Sequence, residues 1–215
     1  MAISLPNGAL IAMANGYGSA LTVSGITNAN PAVATSVGHS LVDGDIVEVT
    51  SGWSRITDKI IKVDQLSADT FGLVGVDSTL TSIYPVGSSA GSVRKISGWT
   101  QLSQILDSSS SGGEQQFLEY QLLEGDSQKR IPTFKSAAGL SFSVADDPTL
   151  AGYILASQAN DDRLPRAIRI TLPSGATIFY NAYVSLNKTP SLTVNQIMAV
   201  EVTLSLLAEP IRYAA

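Results

Sequence analysis

Near its C-terminus the chain carries the segment VEVTLSL at residues 200–206, in which apolar and polar residues alternate without a break. Successive side chains of a β-strand point to opposite faces, so this period of two predicts a half-buried strand. The valines and leucines of the segment would pack into a core. Glu201, Thr203 and Ser205 would then lie together on the opposite face of the sheet.

The same alternation recurs along the rest of the chain, so the fold class predicted from the residues is mainly β. Strands are predicted at residues 45–50, 59–63, 70–74, 91–96, 117–124, 168–172, 176–186 and 200–206. In the segment FLEYQLLE at 117–124, Glu119 and Gln121 share the polar face.

One helix is predicted, because residues 150, 153, 154 and 157 follow helical spacing. Asp147 would cap it, Pro148 would occupy its first turn, and it would end near Asn160. It should cover one face or edge of a two-sheet sandwich.

Two stretches lack a regular pattern and are expected to be flexible. The first is the serine–glycine run at residues 107–113. The second is a loop from about 124 to 138, which contains Lys129, Arg130, Pro132 and Lys135. A loop of that length between two strands is uncommon and is usually functional or disordered.

The composition excludes several kinds of site. The chain of 215 residues has no cysteine and one histidine, so thiolate chemistry and multi-histidine metal sites are impossible. Charged residues make up 14% of the chain and the net charge is −5, so the sequence lacks the excess of basic residues that is typical of nucleic-acid-binding proteins. Low charge suits a surface that is covered by copies of the same protein, although a weakly charged monomer fits the composition equally.

No targeting segment or membrane-spanning stretch is predicted, so we expect a soluble protein made in the cytoplasm.

The segment GSSAG at 87–91 matches the sequence pattern of a nucleophile elbow, which needs a helix after it and a histidine downstream. Here a strand follows the segment and the single histidine, His39, lies upstream, so we interpret the segment as a loop. Asp43-Gly44-Asp45 is interpreted as a tight turn because a calcium loop needs further oxygen ligands. No catalytic residue, cofactor or metal is expected.

Three segments carry a resemblance over about residues 98–213: GWTQL at 98–102, KRIP at 129–132, and VEVTLSL at 200–206 followed by Glu209-Pro210. Together they resemble the tail tube proteins of long, non-contractile-tailed phages. The order strand, long loop, strand, helix, hairpin and final strand is also similar. The resemblance implies a two-sheet β-sandwich with one flanking helix.

A second resemblance lies in ITNANPAV at 26–33, GHSLVDGDIV at 38–47 and ADTFGLVGVD at 68–77. These segments are similar to a small all-β module that recurs in phage tail proteins, from which this chain departs at GWSRITDK, residues 52–59. We therefore expect residues 1–18 to give the first strand of a tube domain and 97–215 the remainder. Residues 19–96 would be an inserted module on the tube exterior, with His39 as a structural residue before a turn.

The resemblance implies homohexameric rings that stack into a hollow tube, each subunit giving four strands to an inner barrel that conducts phage DNA. The tape measure protein, the tail terminator and the tail tip proteins would be partners, with no membrane. The expected location is the virion tail, assembled in the host cytoplasm. We predict contacts between rings or subunits at Lys129, Arg130, Pro132 and Lys135. The candidate lumen-lining residues are Glu119, Gln121, Glu201 and Thr203.

Three other classes of protein remain open. A ring protein of a contractile tail or a type VI secretion tube would share the fold, although the inserted module argues against it. A carbohydrate-binding tail decoration would show glycan affinity as a monomer. An enzyme would need a nucleophile and base pair, and none is evident in the sequence.

Overall fold

The computed structural model describes residues 7–215, which form a mainly β fold with one helix. The strands are β1 (Leu10–Val23), β2 (Gly25–Ile26), β3 (Ala32–Thr35), β4 (Ile46–Ser51), β5 (Ile60–Gln65), β6 (Thr70–Leu73), β7 (Gly91–Leu102), β8 (Ile105–Ser111), β9 (Gln115–Tyr120), β10 (Lys129–Lys135), β11 (Gly139–Ala145), β12 (Arg166–Thr171), β13 (Thr177–Asn187), β14 (Ala199–Leu206) and β15 (Ile211–Tyr213). Helix α1 spans Ala151–Asp162 and lies between β11 and β12 in the chain. The predicted fold class is confirmed.

The strands form one long antiparallel path rather than two unconnected sheets. Its order is β2-β3-β6-β5-β4-β7-β1-β12-β13-β14-β11-β8, and β15 pairs with β13. Within this path the sheet curls, so that β1 and β12 face β11 and β14 across a shared core. Met13 and Ile168 on one side of this core meet Phe142 and Val202 on the other. Strands β9 and β10 pair only with each other among the described residues.

A second core fills the part of the sheet built from β2 to β6. Trp53, Phe71 and Leu41 are among its largest fully buried side chains. Strands β1 and β7 pair along their whole lengths, with bulges, and run through both predicted module boundaries. A third cluster, which includes Ile60 and Phe179, lies between the two larger cores. Because β1 and β7 each belong partly to the module and partly to the tube domain, the division between the two remains a prediction.

The helix begins and packs differently from the prediction. The residue before it is Leu150, which is extended and makes no side-chain capping bond. The predicted cap, Asp147, instead accepts a hydrogen bond from the Thr149 N–H at 3.0 Å in a local turn, as aspartate commonly does. The buried face contains Gly152 and Leu155, together with Ala156 and Ala159, whereas Ile154 is exposed. A Cβ on Gly152 would lie 2.5 Å from the Gln101 carbonyl oxygen, so this face is set by close approach to β7.

Both stretches predicted as irregular contain strands, and that part of the prediction is wrong. Residues 107–111 of the serine run belong to β8, which pairs with β11 from Ile105 to Ser111. In the predicted loop at 124–138, Lys129–Lys135 forms β10, and only residues 121–128 form the connection to β9. Tertiary pairing supplies hydrogen-bond partners that composition does not reveal. Pro132 is tolerated because the hairpin has no further strand beside it.

Candidate functional site

Strands β13, β14, β11 and β8 present a polar surface, here called the serine face. Residues paired across antiparallel strands point to the same side, so the registers place its members in three rows. The rows are Asp107, Ser143, Glu201 and Asn187; Ser109, Ser141, Thr203 and Ser185; and Ser111, Gly139, Ser205 and Tyr183. The rows contain two carboxylates, short hydroxyls and no basic side chain, which makes a smooth and weakly acidic surface.

The orientation of the serine face is fixed by the core behind it. Phe142, Val202 and Leu204 alternate with the polar residues and are buried. A slip of one residue would expose these side chains and bury the polar ones, so the register is strongly specified. The structure thus places Glu201 and Thr203 on one outward-facing polar surface.

The structure does not bring Glu119 and Gln121 to that surface. Glu119 lies on β9 and forms an ion pair with Arg130 of β10. The Gln121 side-chain amide donates to the Gly125 carbonyl at 2.9 Å in the connection between the two strands. Both residues belong to the separate hairpin, because β9 pairs with β10 and not with the long sheet. The strand predicted at 117–124 ends at Tyr120, so Gln121 lies in the connection.

Sequence reasoning missed the members of the serine face on β8 and β11. Asp107 and Ser109 were assigned to a flexible run, since serine-rich segments usually form loops. The segment SFSVA at 141–145 does alternate, and this pattern could have revealed β11. The partnership between β8 and β11 has no local signal.

The stretch of four strands ends in two open edges within residues 7–215. Strand β8 is the last in the order. On the other side, β13 pairs with β12 only as far as Ala182, so residues 183–187 have a strand on one side alone. The helix covers part of this edge, where Asn160 accepts a hydrogen bond from the Leu186 N–H at 3.1 Å. Open edges readily pair with another chain.

The hairpin of β9 and β10, residues 115–135, is here called the arm, and its side chains are largely exposed. Leu118 pairs with Ile131 on one face, and Phe117 pairs with Pro132 on the other. Phe117, Leu118 and Ile131 are about half exposed, and Pro132 is exposed as well. Phe134 near the base is 70% exposed. An isolated two-stranded hairpin is at best marginally stable in water. The apolar side chains on both faces of the arm therefore lie largely uncovered within residues 7–215.

All four predicted contact residues lie on β10 and are exposed. Two of the cations already have partners in the same chain: Arg130 pairs with Glu119, and Lys135 pairs with Glu209. Pro132 lies opposite Phe117. In the described part of the chain, Lys129 is the one predicted cation that makes no ion pair.

A cleft of about 380 Å³, here called the basal cleft, lies where the arm meets the loop at residues 54–59. Arg55, Lys59, Lys135 and Glu209 line it, together with Phe134. Burial lowers the pKa of Lys59, and the nearby Arg55 and Lys135 lower it further against the opposing effect of Glu209. The hydrogen bond from Lys135 lowers the pKa of Glu209, so this carboxylate is held ionised. The cleft forms where segments about 80 residues apart meet. The sequence singled out residues 52–59 as a departure from the module and residues 124–138 as an uncommon loop, but gave no sign that the two come together.

The other motifs of the sequence have structural roles. The Ser89 hydroxyl accepts a hydrogen bond from the Ile26 N–H at 2.8 Å and is buried. His39 is buried with its ring edge-on to Phe71, and its Nδ1 accepts from the Leu41 N–H. Over residues 7–215, no group of His, Cys, Asp or Glu is placed to hold a metal ion. The described chain also lacks a helix long and apolar enough to cross a membrane.

Comparison with known structures finds weak likenesses to assembled tubes. A chain of an extracellular contractile injection system, the PVC sheath–tube complex in its extended state, is 24% identical over 50% of this chain and 80% of that one, with a TM-score of 0.38. A chain of the tube-terminating cap of the anti-feeding prophage is 21% identical over 50% and 79%, with a TM-score of 0.37. No curated protein matches the sequence.

Comparison with family models finds one that covers most of the chain. The model for the phage tail tube protein, TTP, matches residues 51–215. The matched region includes the serine face, the arm and both sides of the basal cleft. The chain belongs to the phage tail tube protein family.

Proposed function

We propose that six copies of this subunit form a ring, that the rings stack into the tube of a long non-contractile tail, and that the serine face lines the channel for viral DNA. The serine face is the observation that carries this proposal. Every basic contact to DNA adds salt-dependent affinity, and a channel must let DNA pass without holding it. Rows of short hydroxyls with Asp107 and Glu201 offer no such contact.

The two open edges support closure into a ring. If β8 of one copy pairs with residues 183–187 of the next, the contact is heterologous and can close around an axis. Six copies of four strands, spaced about 4.8 Å apart, give a circumference of roughly 115 Å and a diameter near 40 Å before side chains and tilt. Closure also removes both exposed sheet edges.

The exposed apolar side chains of the arm are the observation that supports stacking of the rings. Within the described part of its own subunit these side chains remain largely exposed to solvent. We propose that neighbouring rings or subunits cover it, with Lys129, Arg130, Pro132 and Lys135 in or beside the contact. The strands of the inserted module lie at the opposite end of the sheet order from β8, which supports an exterior position. A module there would occupy space that a contractile sheath needs, and this favours a non-contractile tail.

The remaining partners belong to the same proposal. A tube of this kind needs a tape measure protein inside it during assembly, a terminator at one end and tip proteins at the other. We place the assembled protein in the virion tail, formed in the host cytoplasm. Its role is structural containment rather than catalysis.

Negative-stain microscopy and sedimentation of the purified protein test this proposal. We expect hollow tubes with sixfold rings above a threshold concentration. Replacing residues 116–134 by Asn-Gly, which joins the paired residues Gln115 and Lys135, should leave rings or monomers that are folded but do not stack. Protein that stays monomeric at every concentration, even with tail partners added, contradicts the proposal.

A further inference from the structure

The basal cleft carries more positive charge than its own chain neutralises. Within residues 7–215, Lys135 pairs with Glu209, whereas Arg55 and Lys59 make no ion pair. Asp58 also lines the cleft, so three cations there face two carboxylates and one positive charge is left in excess. The cleft therefore suits an anionic ligand.

The connection at the far end of the arm, residues 121–128, here called the arm tip, has the opposite character. It contains Glu124 and Asp126 and no basic residue. Leu122 is about half exposed and Leu123 is fully exposed. The Gly125 N–H donates to the Leu122 carbonyl at 3.0 Å, which holds these residues in a compact turn. The tip thus presents two carboxylates beside two uncovered leucines.

We propose that the arm tip of one subunit binds in the basal cleft of a second copy of the chain. Glu124 and Asp126 would face Arg55 and Lys59, since complementary charges fix the register of such contacts. The tip leucines would cover Phe134, which lines the cleft and is largely exposed. This inference rests on the proposed stacking of rings and names the contact that produces it.

The length of the arm requires that tip and cleft come from different copies. Gln115 and Lys135 lie at the cleft, and the strands leading away from them are six and seven residues long. At about 3.3 Å per residue, the arm carries its tip roughly 20 Å away from its own cleft. Each subunit therefore offers one tip and one cleft at separate places, which is a heterologous contact that repeats from copy to copy.

Charge reversal tests the pairing through its rescue. We expect Glu124→Lys with Asp126→Lys, and separately Arg55→Glu with Lys59→Glu, to raise the concentration needed for tube formation by about tenfold or more, because like charges then meet. A mixture of the two variants, or one chain with all four changes, should restore assembly. Lys62→Glu with Asp64→Lys, both exposed on β5, is the matched control and should assemble normally. Loss of assembly that neither the mixture nor the fourfold variant restores overturns the pairing.

Cross-linking tests the contact without altering its charges. The chain has no cysteine, so Ser54→Cys and Leu123→Cys introduce the only two thiols. Oxidation of assembled tubes should join subunits into covalent ladders, whereas Ser67→Cys with Leu123→Cys should not, because Ser67 lies outside the cleft lining. Tubes that form normally but give no ladder from the first pair overturn the proposed contact.

These outcomes separate the inference from the function on which it rests. If the wild-type protein forms no rings or tubes, the proposed function fails. If wild-type, tip-reversed and cleft-reversed proteins all form tubes at the same concentration, stacking stands and the tip–cleft contact is wrong.

Discussion

The substitution Tyr213→Phe tests how firmly the inserted module is joined to the rest of the subunit. The Tyr213 hydroxyl accepts a hydrogen bond from the Lys62 N–H at 2.9 Å and donates to the Val74 carbonyl at 3.0 Å. Its ring packs edge-on to Phe179 with centroids 5.8 Å apart. One residue of the last strand thus bonds β5 and the turn after β6 in the module while it packs on β13.

The magnitude follows from those two bonds. Phenylalanine keeps the ring contact with Phe179 and removes only the hydroxyl. A hydrogen bond contributes about 0.5–1.5 kcal/mol net, so losing two should lower the free energy of unfolding by about 1–3 kcal/mol. For a chain of this length each kcal/mol lowers Tm by about 2–4 °C, which gives a decrease of roughly 2–12 °C.

Thermal unfolding of the unassembled subunit, followed by circular dichroism and calorimetry, measures this decrease. Tyr183→Phe is the matched control, because Tyr183 is exposed on the serine face and its hydroxyl makes no hydrogen bond in the described part of the chain. The control should change Tm by about 1–2 °C at most. Equal Tm values for the two variants would refute the claim that Tyr213 joins the module to the tube domain.

Three further outcomes are expected. Glu201→Lys or Asp107→Lys should allow tubes to form but slow DNA ejection, most strongly at low salt where screening is weak; normal ejection rates from both variants count against the channel assignment. Gly152→Ala should lower the free energy of unfolding by about 1–3 kcal/mol in denaturant titrations, since the added Cβ would lie 2.5 Å from the Gln101 carbonyl oxygen. Burial lowers the pKa of Lys59, so its charge in the unassembled subunit is lost at a lower pH than in a free lysine, and a bound arm tip should raise that pKa. Tubes should therefore loosen as pH rises into the range in which lysine side chains lose their charge, and Lys59→Arg, which stays charged, should reduce this loss in sedimentation assays.

The alternation of single segments predicted most of the strands of the described chain. Segment 200–206 is β14 almost to the residue, because one buried face and one exposed face leave a clear period of two. Residues 105–111 form a strand only because β11 pairs with them, and a serine run carries no such information. The helix was placed about three residues early, since the Asp147 carboxylate is used in its own turn and Gly152 packs against β7.

The candidate site likewise contains one part that the sequence predicted and one part that it did not. Glu201 and Thr203 were found because they share a face with each other along one strand. The basal cleft could not be found, because Arg55 and Lys135 come together only through the packing of the arm base against the module loop. Pattern within a strand predicts which side chains share a face, whereas clusters between distant segments require the fold.

The distribution of charge over the two surfaces has a consequence for salt dependence. On the serine face, like charges from successive copies would face the DNA, so their effect is repulsion. At the cleft, unlike charges from two copies would meet, so their effect is attraction. Salt screens both over a Debye length of about 8–10 Å at physiological strength. Rising salt should therefore weaken the attraction that holds the tube together and, at the same time, reduce the repulsion between the serine face and DNA. The apolar contacts of Leu123 and Phe134 are not screened by salt. The leucines beside the acidic tip are thus the part of the contact that would keep a tube intact where its charges are screened.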